Sequence, residues 1–392
     1  MKKIILSTLA ILTSIPLFAQ NNIKSVLSSI DENNTTLKSL RERVEAQKLE
    51  NKTDIYLPNP EVGFNYLWGN PAGIGNRTDF SVSQTFDIPT ITGMKSRVAS
   101  SKNNLAEWQY KSDRMAILLE AKQYCIELIY YNALMKELNL RLQHAGTIES
   151  GYRERLDRGD ASILEYNKAT LNLSATQGEI SRIKVERKAL LSHLKRLNGE
   201  VNVSLDDTQY SPVELALNFD DWYIQAEQKN PVLAYVKQEV EVNKKQVTLN
   251  KAMGLPSFYA GYMSEKVVGE HYQGISVGVS IPLWENKNRI RHAKSAVKAA
   301  ESREADSKQQ FYGQLKILYD RTAGMKATAD VYRKSLETAN STGLLIKALD
   351  AGEISLLDYI MEIGLYYDTI NRALEAERDF QKTYSELSAV EL

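Results

Sequence analysis

The sequence predicts a mainly α-helical chain, internally duplicated, in which each half also carries one β-hairpin of membrane-spanning length. Proline is absent from 90–211 and from 283–392, and both stretches are rich in strong helix formers. A segment with alternating apolar residues, typical of β-strands, precedes each stretch. The two halves superpose at an offset of 193 residues, which places Pro89 on Pro282. These three observations together favour a duplicated fold with membrane β-structure.

The duplication is clearest in one eleven-residue block. Residues 156–166 fall on 349–359, with six of the eleven positions identical and two more exchanging one acid for another. A single offset that fits both a proline and this block rarely arises by chance. The predicted organisation is a signal peptide at 1–19, a first repeat at 20–198, an inter-repeat equatorial linker at 199–229 and a second repeat at 230–392.

The first 19 residues have the order of a secretory signal peptide. Lys2 and Lys3 precede an apolar run at 4–15, and the segment 16–19 leads to Gln20. The run is short for a spanning helix, although a short signal anchor is the alternative. We therefore expect an exported protein that is cleaved near Gln20.

The sequence of each repeat predicts, in order, a helix, a hairpin, a long helix, a glycine turn and a returning helix. The predicted helices are 23–50, 90–157, 161–197, 231–253, 287–350 and 354–388, around hairpins at 60–89 and 257–282. From Pro89 to Gly159 and from Pro282 to Gly352 the distance is 70 residues, about 105 Å of continuous helix. Helices of that length need lateral packing along their whole length, as in a coiled coil.

An apolar seam along the first long helix can supply this packing. Its members are Leu118, Cys125, Leu128, Tyr131, Leu134, Leu138 and Leu142. We interpret Cys125 as a small hydrophobic residue of this seam. The turn at Asn198 and Gly199 has the residue types of a helix C-terminus, so the returning helix should end there.

The hairpins alternate apolar and small or polar residues with a period of two. The apolar sets are Val62, Phe64, Tyr66 and Trp68; Phe80, Val82, Phe86 and Ile88; Phe258, Ala260 and Tyr262; and Ile275, Val277, Val279 and Ile281. Strands of this length cross a bilayer when tilted. Aromatic residues near the strand ends resemble an interfacial girdle: Tyr56, Trp68, Phe86, Tyr272 and Trp284. The alternative is the half-buried strands of a soluble sheet.

Four strands cannot close a barrel in lipid, where open sheet edges are not tolerated. If the hairpins are inserted, several copies must share one barrel. Three copies would give 12 strands above a closed tube of helices. We therefore predict a mainly α fold with membrane β-structure, in which a homotrimer joins a 12-stranded outer-membrane β-barrel to a periplasmic α-barrel.

Composition argues against catalysis and against nucleic acid. The 49 basic residues balance 49 acidic ones, so no basic surface is indicated for phosphates. One cysteine and four scattered histidines leave little material for a metal or acid–base centre. The loop 69–75 is glycine-rich but joins two strands and opens no helix, unlike a phosphate loop. We expect no enzyme activity, no cofactor and no resident metal.

Several of these segments resemble the TolC-type outer-membrane efflux proteins. They are the signal peptide, the strand opening Leu57-Pro58-Asn59-Pro60-Glu61-Val62, the strand end Ser81-Val82-Ser83-Gln84-Thr85-Phe86, and the duplicated turns. The resemblance covers essentially all of 20–392. It implies an outer-membrane channel subunit of a tripartite efflux system, assembled as a homotrimer in outer-membrane lipid with a helical tunnel in the periplasm. The implied partners are a periplasmic adaptor (membrane fusion) protein and an inner-membrane resistance–nodulation–division (RND) pump.

Within that family the short chain and the Asn59-Pro60-Glu61 opening are similar to the heavy-metal-efflux branch. Two features depart from that branch: the segment 86–95 stands where a Gly-Gly-Lys-Arg-like turn is usual, and the residue directly after the expected cleavage site is Gln20 rather than a cysteine that could carry a lipid. The cargo is expected to be metal ions or small toxic compounds. The alternatives are an exit duct for type I protein secretion and a soluble periplasmic coiled-coil scaffold or adaptor.

The resemblance also implies a function for the two glycine turns, as the closed periplasmic aperture and the contact with the adaptor. In the family pattern an acid lies six residues beyond each glycine, and the corresponding residues here are Glu165 and Asp358. The family often has a second inward acid three residues further on. At that position this chain has Met361, and Glu362 lies one position away. The candidate gate and adaptor-tip residues are Gly159, Asp160, Glu165, Gly352, Glu353, Asp358 and Glu362. The alternative is that an acid near a helix start is solvated or favoured by the helix dipole.

Overall fold

The protein is represented by a computed structural model that describes residues 22–284, 286–338 and 342–392. The predicted signal peptide lies outside the described residues. The described elements are α1 (Asn22–Asn33), α2 (Thr35–Glu50), β1 (Glu61–Leu67), β2 (Arg77–Phe86), α3 (Pro89–Asp157), α4 (Ile163–Leu197), α5 (Phe219–Lys229), α6 (Pro231–Ala252), β3 (Ser257–Val267), β4 (Glu270–Ser280), α7 (Arg289–Thr338), α8 (Thr342–Asp350) and α9 (Leu356–Leu387).

Most of the predicted helices are confirmed, including the 69-residue α3. The predicted helix 287–350 corresponds to α7 and α8, and residues 339–341 between them lie outside the described residues. The linker 199–229 contains α5 in its second half. None of the described helices is long and apolar enough to cross a membrane.

The prediction of one helix at 23–50 is wrong, because the structure interrupts it at Asn34. The Asn34 side chain is buried, and its Nδ2 donates to the Leu197 carbonyl oxygen over 2.7 Å. Asparagine destabilises the interior of a helix because its side chain can form hydrogen bonds with the backbone in non-helical conformations. A contact 163 residues away in sequence therefore decides where α1 ends.

The chain divides into two compact units, each drawing on both predicted repeats. The first contains the described residues of Met1–Asn34, Glu120–Glu214 and Ala327–Lys382. The second contains Thr35–Leu119, Leu215–Lys326 and Thr383–Leu392. The repeat boundaries therefore stay a prediction from sequence symmetry.

The second unit contains a four-stranded antiparallel sheet in the order β1-β2-β3-β4. The two hairpins pair through β2 and β3, for example Val82 with Tyr262. Ile91 and Val98 of α3 pack with Leu249 and Ala252 of α6, the two helices that adjoin the sheet in sequence. This packing fixes where the first hairpin ends and where the second begins.

In the first unit the predicted seam of α3 is buried. Tyr130, Leu134 and Leu138 of α3 pack against Ile180 and Ile183 of α4. The prediction for the remaining seam residues holds as well, since Leu118, Cys125 and Leu128 are buried and Tyr131 and Leu142 pack against the same cluster. The spacing of apolar residues on α3 thus matches the surface that its neighbours cover.

The first part of the linker is held against α3 by hydrogen bonds. Asn132 Nδ2 donates to the carbonyl oxygens of Leu205 at 2.9 Å and Asp207 at 3.0 Å. The Tyr210 hydroxyl donates to the Ile126 carbonyl oxygen over 2.9 Å, and burial raises the pKa of this hydroxyl. The two bonds from Asn132 satisfy backbone carbonyls in a segment without secondary structure, since buried carbonyl groups need hydrogen-bond partners.

Cys125 gives a direct test of this core. Its side chain is fully buried, and burial raises the pKa of the thiol to about 12. Because only the thiolate reacts, we expect Cys125 to resist iodoacetamide at pH 8 in the native protein and to react after denaturation, as read by mass spectrometry. A Cys125→Ser, Ser181→Cys variant, with its thiol on the exposed face of α4, should label natively. Rapid native labelling of Cys125 would contradict its burial.

Candidate functional site

One face of the sheet is apolar and exposed across all four strands. Val62, Val82, Tyr262 and Ile275 are paired in one row, and Phe64 with Phe80 begins the next. Ile275 is 86% exposed and Val62 is 67% exposed. A contiguous apolar surface of this kind marks a contact with another protein or with a membrane.

The opposite face carries mostly small and polar residues, as the alternation predicts. Gly63 pairs with Ser81, and Ser83, Gly261 and Ser276 share another row. The Tyr259 ring lies over Gly278 on this face, since a Cβ at Gly278 would come within 2.2 Å of it. The two faces therefore differ in the way that an apolar and an aqueous surrounding would require.

The aromatic girdle stays a prediction, and the structure places one of its predicted members on the polar face. Trp68 and Trp284 are both 80% exposed, and Trp68 makes an edge-to-face contact with Tyr66 at 5.7 Å. Tyr272 pairs with Glu265 on the polar face, and its hydroxyl donates to Glu270. The reason is parity, because the apolar positions of β4 are odd-numbered and Tyr272 is even.

In the first unit, both predicted glycine turns have the same backbone design. Gly159 has φ +79° and Gly352 has φ +74°, the left-handed region that glycine adopts at a helix end. The Asp160 N–H donates to the Arg155 carbonyl oxygen over 2.7 Å, and the Glu353 N–H donates to that of Ala348 over 2.9 Å. These are the long bonds of a Schellman motif, which satisfies carbonyls left open at the helix end.

The next helix begins in the same way at both turns, with a serine and an acid three residues apart. The Glu165 carboxylate accepts from the Ser162 N–H at 2.8 Å and hydroxyl at 2.9 Å, and the Glu165 N–H donates to the Ser162 oxygen. Asp358 repeats the arrangement with Ser355, whose hydroxyl donates over 2.6 Å. Each acid therefore closes a capping box that satisfies open N–H groups of the helix.

The capping bonds also fix the charge state of Glu165. Hydrogen bonds from the Ser162 backbone and hydroxyl lower the pKa of this carboxyl below its usual range. The charged form is the one that is stabilised, so the contribution is complete at neutral pH. It is lost as the pH falls through the lowered pKa of the folded state.

The helices flanking both turns enclose one apolar cluster. Its buried members are Tyr152, Ala169, Leu349, Leu356, Tyr359 and Ile363. Tyr359, the residue after Asp358, is 1% exposed, and burial raises the pKa of its hydroxyl. The equivalent Tyr166 lies at the edge of the cluster, and Arg153 Nη2 donates to its hydroxyl over 3.0 Å. The structure thus brings the two turns together, as the resemblance implies for two turns at one aperture.

The remaining candidates differ in how they are held. Arg158 and Asp160 form a local ion pair at 3.5 Å, which is exposed and therefore weak. Glu353 and Glu362 are exposed. Within the described ranges, no group of three or more His, Cys, Asp or Glu side chains could hold a metal ion.

Sequence reasoning missed Ser162 and Ser355, the partners of the two acids. The signal was present, because Ser-x-x-Glu and Ser-x-x-Asp before an apolar run are typical of a helix start. The acids were interpreted through the resemblance alone. Their local bonds favour the alternative, in which an acid at a helix start stabilises that helix.

Ser162→Ala and Ser355→Ala test the capping boxes. We expect either change to speed amide hydrogen exchange in the first turn of the following helix about five-fold, since losing an N-cap costs about 1 kcal/mol. Ser192→Ala, which removes a hydroxyl bonded to the Lys188 carbonyl oxygen in mid-helix, is the matched control and should leave exchange unchanged. Wild-type protection at both turns in the variants would contradict the role of the serines.

No protein-family model and no curated protein matches this sequence. Solved structures do match it. CusC, described in connection with folding and transmembrane channel formation, has a TM-score of 0.77 at 14% identity, covering 95% of this chain and 92% of that chain. The Campylobacter jejuni CmeC outer membrane channel has a TM-score of 0.69 at 16% identity, covering 94% and 85%.

A third structure, the outer membrane protein VceC from Vibrio cholerae, has a TM-score of 0.71 at 12% identity and covers 94% of each chain. At these identities the likeness concerns the fold. The combination of very long helices with a four-stranded sheet is confirmed, as the resemblance to TolC-type proteins implied. The chain has the fold of these outer-membrane channels.

Proposed function

We propose that this chain is the channel subunit of a tripartite efflux system, located in the outer membrane and passive in transport. The exposed apolar face of the sheet carries this proposal, because its opposite face is polar and the fold is that of outer-membrane channels. Structural neighbours that are channels rather than enzymes agree with a chain that catalyses nothing.

The sheet itself argues for assembly into a homotrimer. The sheet order leaves β1 and β4 at its edges, and within the described part of the chain each has a row of backbone groups without a strand partner. In lipid such groups cost several kcal/mol each, roughly the cost of an unmade hydrogen bond in an apolar medium. Three copies would close a 12-stranded barrel with the apolar face towards lipid and the polar face towards the channel. The long helices would form the periplasmic tunnel.

The proposed partners are a periplasmic adaptor protein and an inner-membrane RND pump, which would supply the energy. They are proposed because the neighbours are outer-membrane channels and because the sequence resembles the tripartite family. Metal ions as cargo rest on the branch resemblance alone, with small toxic compounds or a type I secreted protein as alternatives. The exposed apolar face disfavours a soluble scaffold, which would leave that surface in water.

A pair of neighbouring residues on opposite faces of β4 tests the membrane orientation. Ile275→Lys places a charge in the apolar face, where it costs about 2–4 kcal/mol in the middle of a bilayer. We expect the variant to lose most of its carbonate-resistant outer-membrane fraction and its trimer, measured by fractionation and by native mass spectrometry in detergent.

Ser276→Lys is the matched control, since Ser276 lies on the polar face of the same strand. It should insert and assemble like wild type. Equal loss in both variants would point to a general folding defect. Normal insertion of Ile275→Lys would contradict a lipid-facing role for the apolar face.

The aperture function of Asp358 is a separate proposal, and Ser355 allows it to be separated from helix capping. A ring of three carboxylates would bind cations, so we expect Ca²⁺ to reduce the conductance of wild-type channels in planar bilayers. Asp358→Asn should lose most of that effect. Ser355→Ala removes the capping partner but keeps the charge, so it should retain the effect. Identical behaviour of the two variants would leave Asp358 as a helix cap only.

A further inference from the structure

The apolar face of the sheet ends in a polar row close to the hairpin turns. Tyr66, Thr78, Lys266 and His271 are direct neighbours in that row. The row before it is still apolar on the first hairpin, with Phe64 beside Phe80. From Phe258 to Lys266 the distance along β3 is about 27 Å, close to the height of a membrane-embedded apolar band.

Lys266 is the one residue among Lys, Arg, Asp and Glu on this face of β1–β4, all of whose positions are described. Its side chain is exposed. The acids at the same end of the sheet lie on the opposite face. There Arg77 pairs with Asp79 at 2.8 Å and with Glu265 at 3.2 Å.

The neighbours of Lys266 are groups that can donate hydrogen bonds. Thr78 and His271 flank it on either side, and His271 Nε2 lies 2.8 Å from the Ser264 hydroxyl. The Tyr66 hydroxyl accepts from Asn76 over 2.6 Å, which leaves its own proton available. A cation between hydroxyl and imidazole donors suits an oxyanion with several acceptor oxygens.

We propose that this row, centred on Lys266, binds the phosphate of a lipid headgroup in the outer leaflet. The inference rests on the proposed function, because it requires the apolar face to lie in lipid. An ammonium at the edge of that face reaches the headgroup region with its apolar stem against the acyl chains. A lipid whose headgroup phosphate carries a net negative charge adds attraction that a zwitterionic headgroup, whose phosphate is balanced by its own cation, lacks.

The experiment uses the full chain purified in mild detergent and native mass spectrometry of lipid adducts. The probes are phosphatidic acid, phosphatidylcholine with the same acyl chains, and inorganic phosphate. Wild type should bind phosphatidic acid more tightly than phosphatidylcholine. Lys266→Gln should weaken phosphatidic acid binding about five-fold, as expected for one cation at a membrane surface, and leave phosphatidylcholine binding unchanged.

Two further variants keep this result interpretable. Lys266→Arg retains the charge and should bind within two-fold of wild type. Lys298→Gln removes an exposed lysine of α7, outside the sheet, and should also bind like wild type. Unchanged phosphatidic acid binding by Lys266→Gln, or equal binding of inorganic phosphate, would overturn the proposal.

Membrane insertion is measured on the same samples, so failure of this inference is distinct from failure of the proposed function. If all variants insert and assemble but phosphatidic acid binding does not depend on Lys266, the headgroup site alone is wrong. If wild type itself is not recovered from outer membranes, the proposed function is wrong and the site is overturned with it.

Discussion

The apolar, solvent-exposed face of one small sheet is the constraint on which the proposed biology depends. Among the residues that the structure describes, none covers Val62 or Ile275, and β1 and β4 lie at the edges of the sheet. Either feature alone occurs in soluble proteins. Their combination fits a setting in which lipid covers the face and further strands cover the edges. In the proposed assembly the polar opposite face would be the wall of a water-filled channel, so one alternating pattern would determine location, assembly and conduction.

The two glycine turns in the first unit have the same local hydrogen bonds but differ in how their side chains are packed. Both turns use a left-handed glycine and a Ser-x-x-acid cap. The residue after each serine differs in its surroundings, since Leu356 is 2% exposed whereas the equivalent Ile163 is 55% exposed. Capping needs only residues within one turn, so it survives duplication. Burial depends on neighbours, which differ between the two repeats.

This difference explains how much could be predicted from sequence. Strand alternation, the length of α3 and the position of both glycine turns are local patterns, and the structure confirms them. The break at Asn34 was missed because it depends on a bond to Leu197, far away in sequence. Burial of Tyr359 was missed for the same reason. The side of the sheet on which Tyr272 lies was predictable from parity alone, and aromatic content was given too much weight.

The two acids show how a resemblance and a local pattern can lead to different functions for one residue. A carboxylate that accepts from its own helix start has part of its hydrogen-bonding capacity engaged, as Glu165 and Asp358 have. For Glu165 the capping bonds favour the charged form, so this carboxylate keeps its charge at neutral pH. Capping and cation attraction are therefore compatible in one group. Capping would hold the carboxylate in a defined position, and a ring of such carboxylates would attract cations only if the three copies bring them close to a common axis.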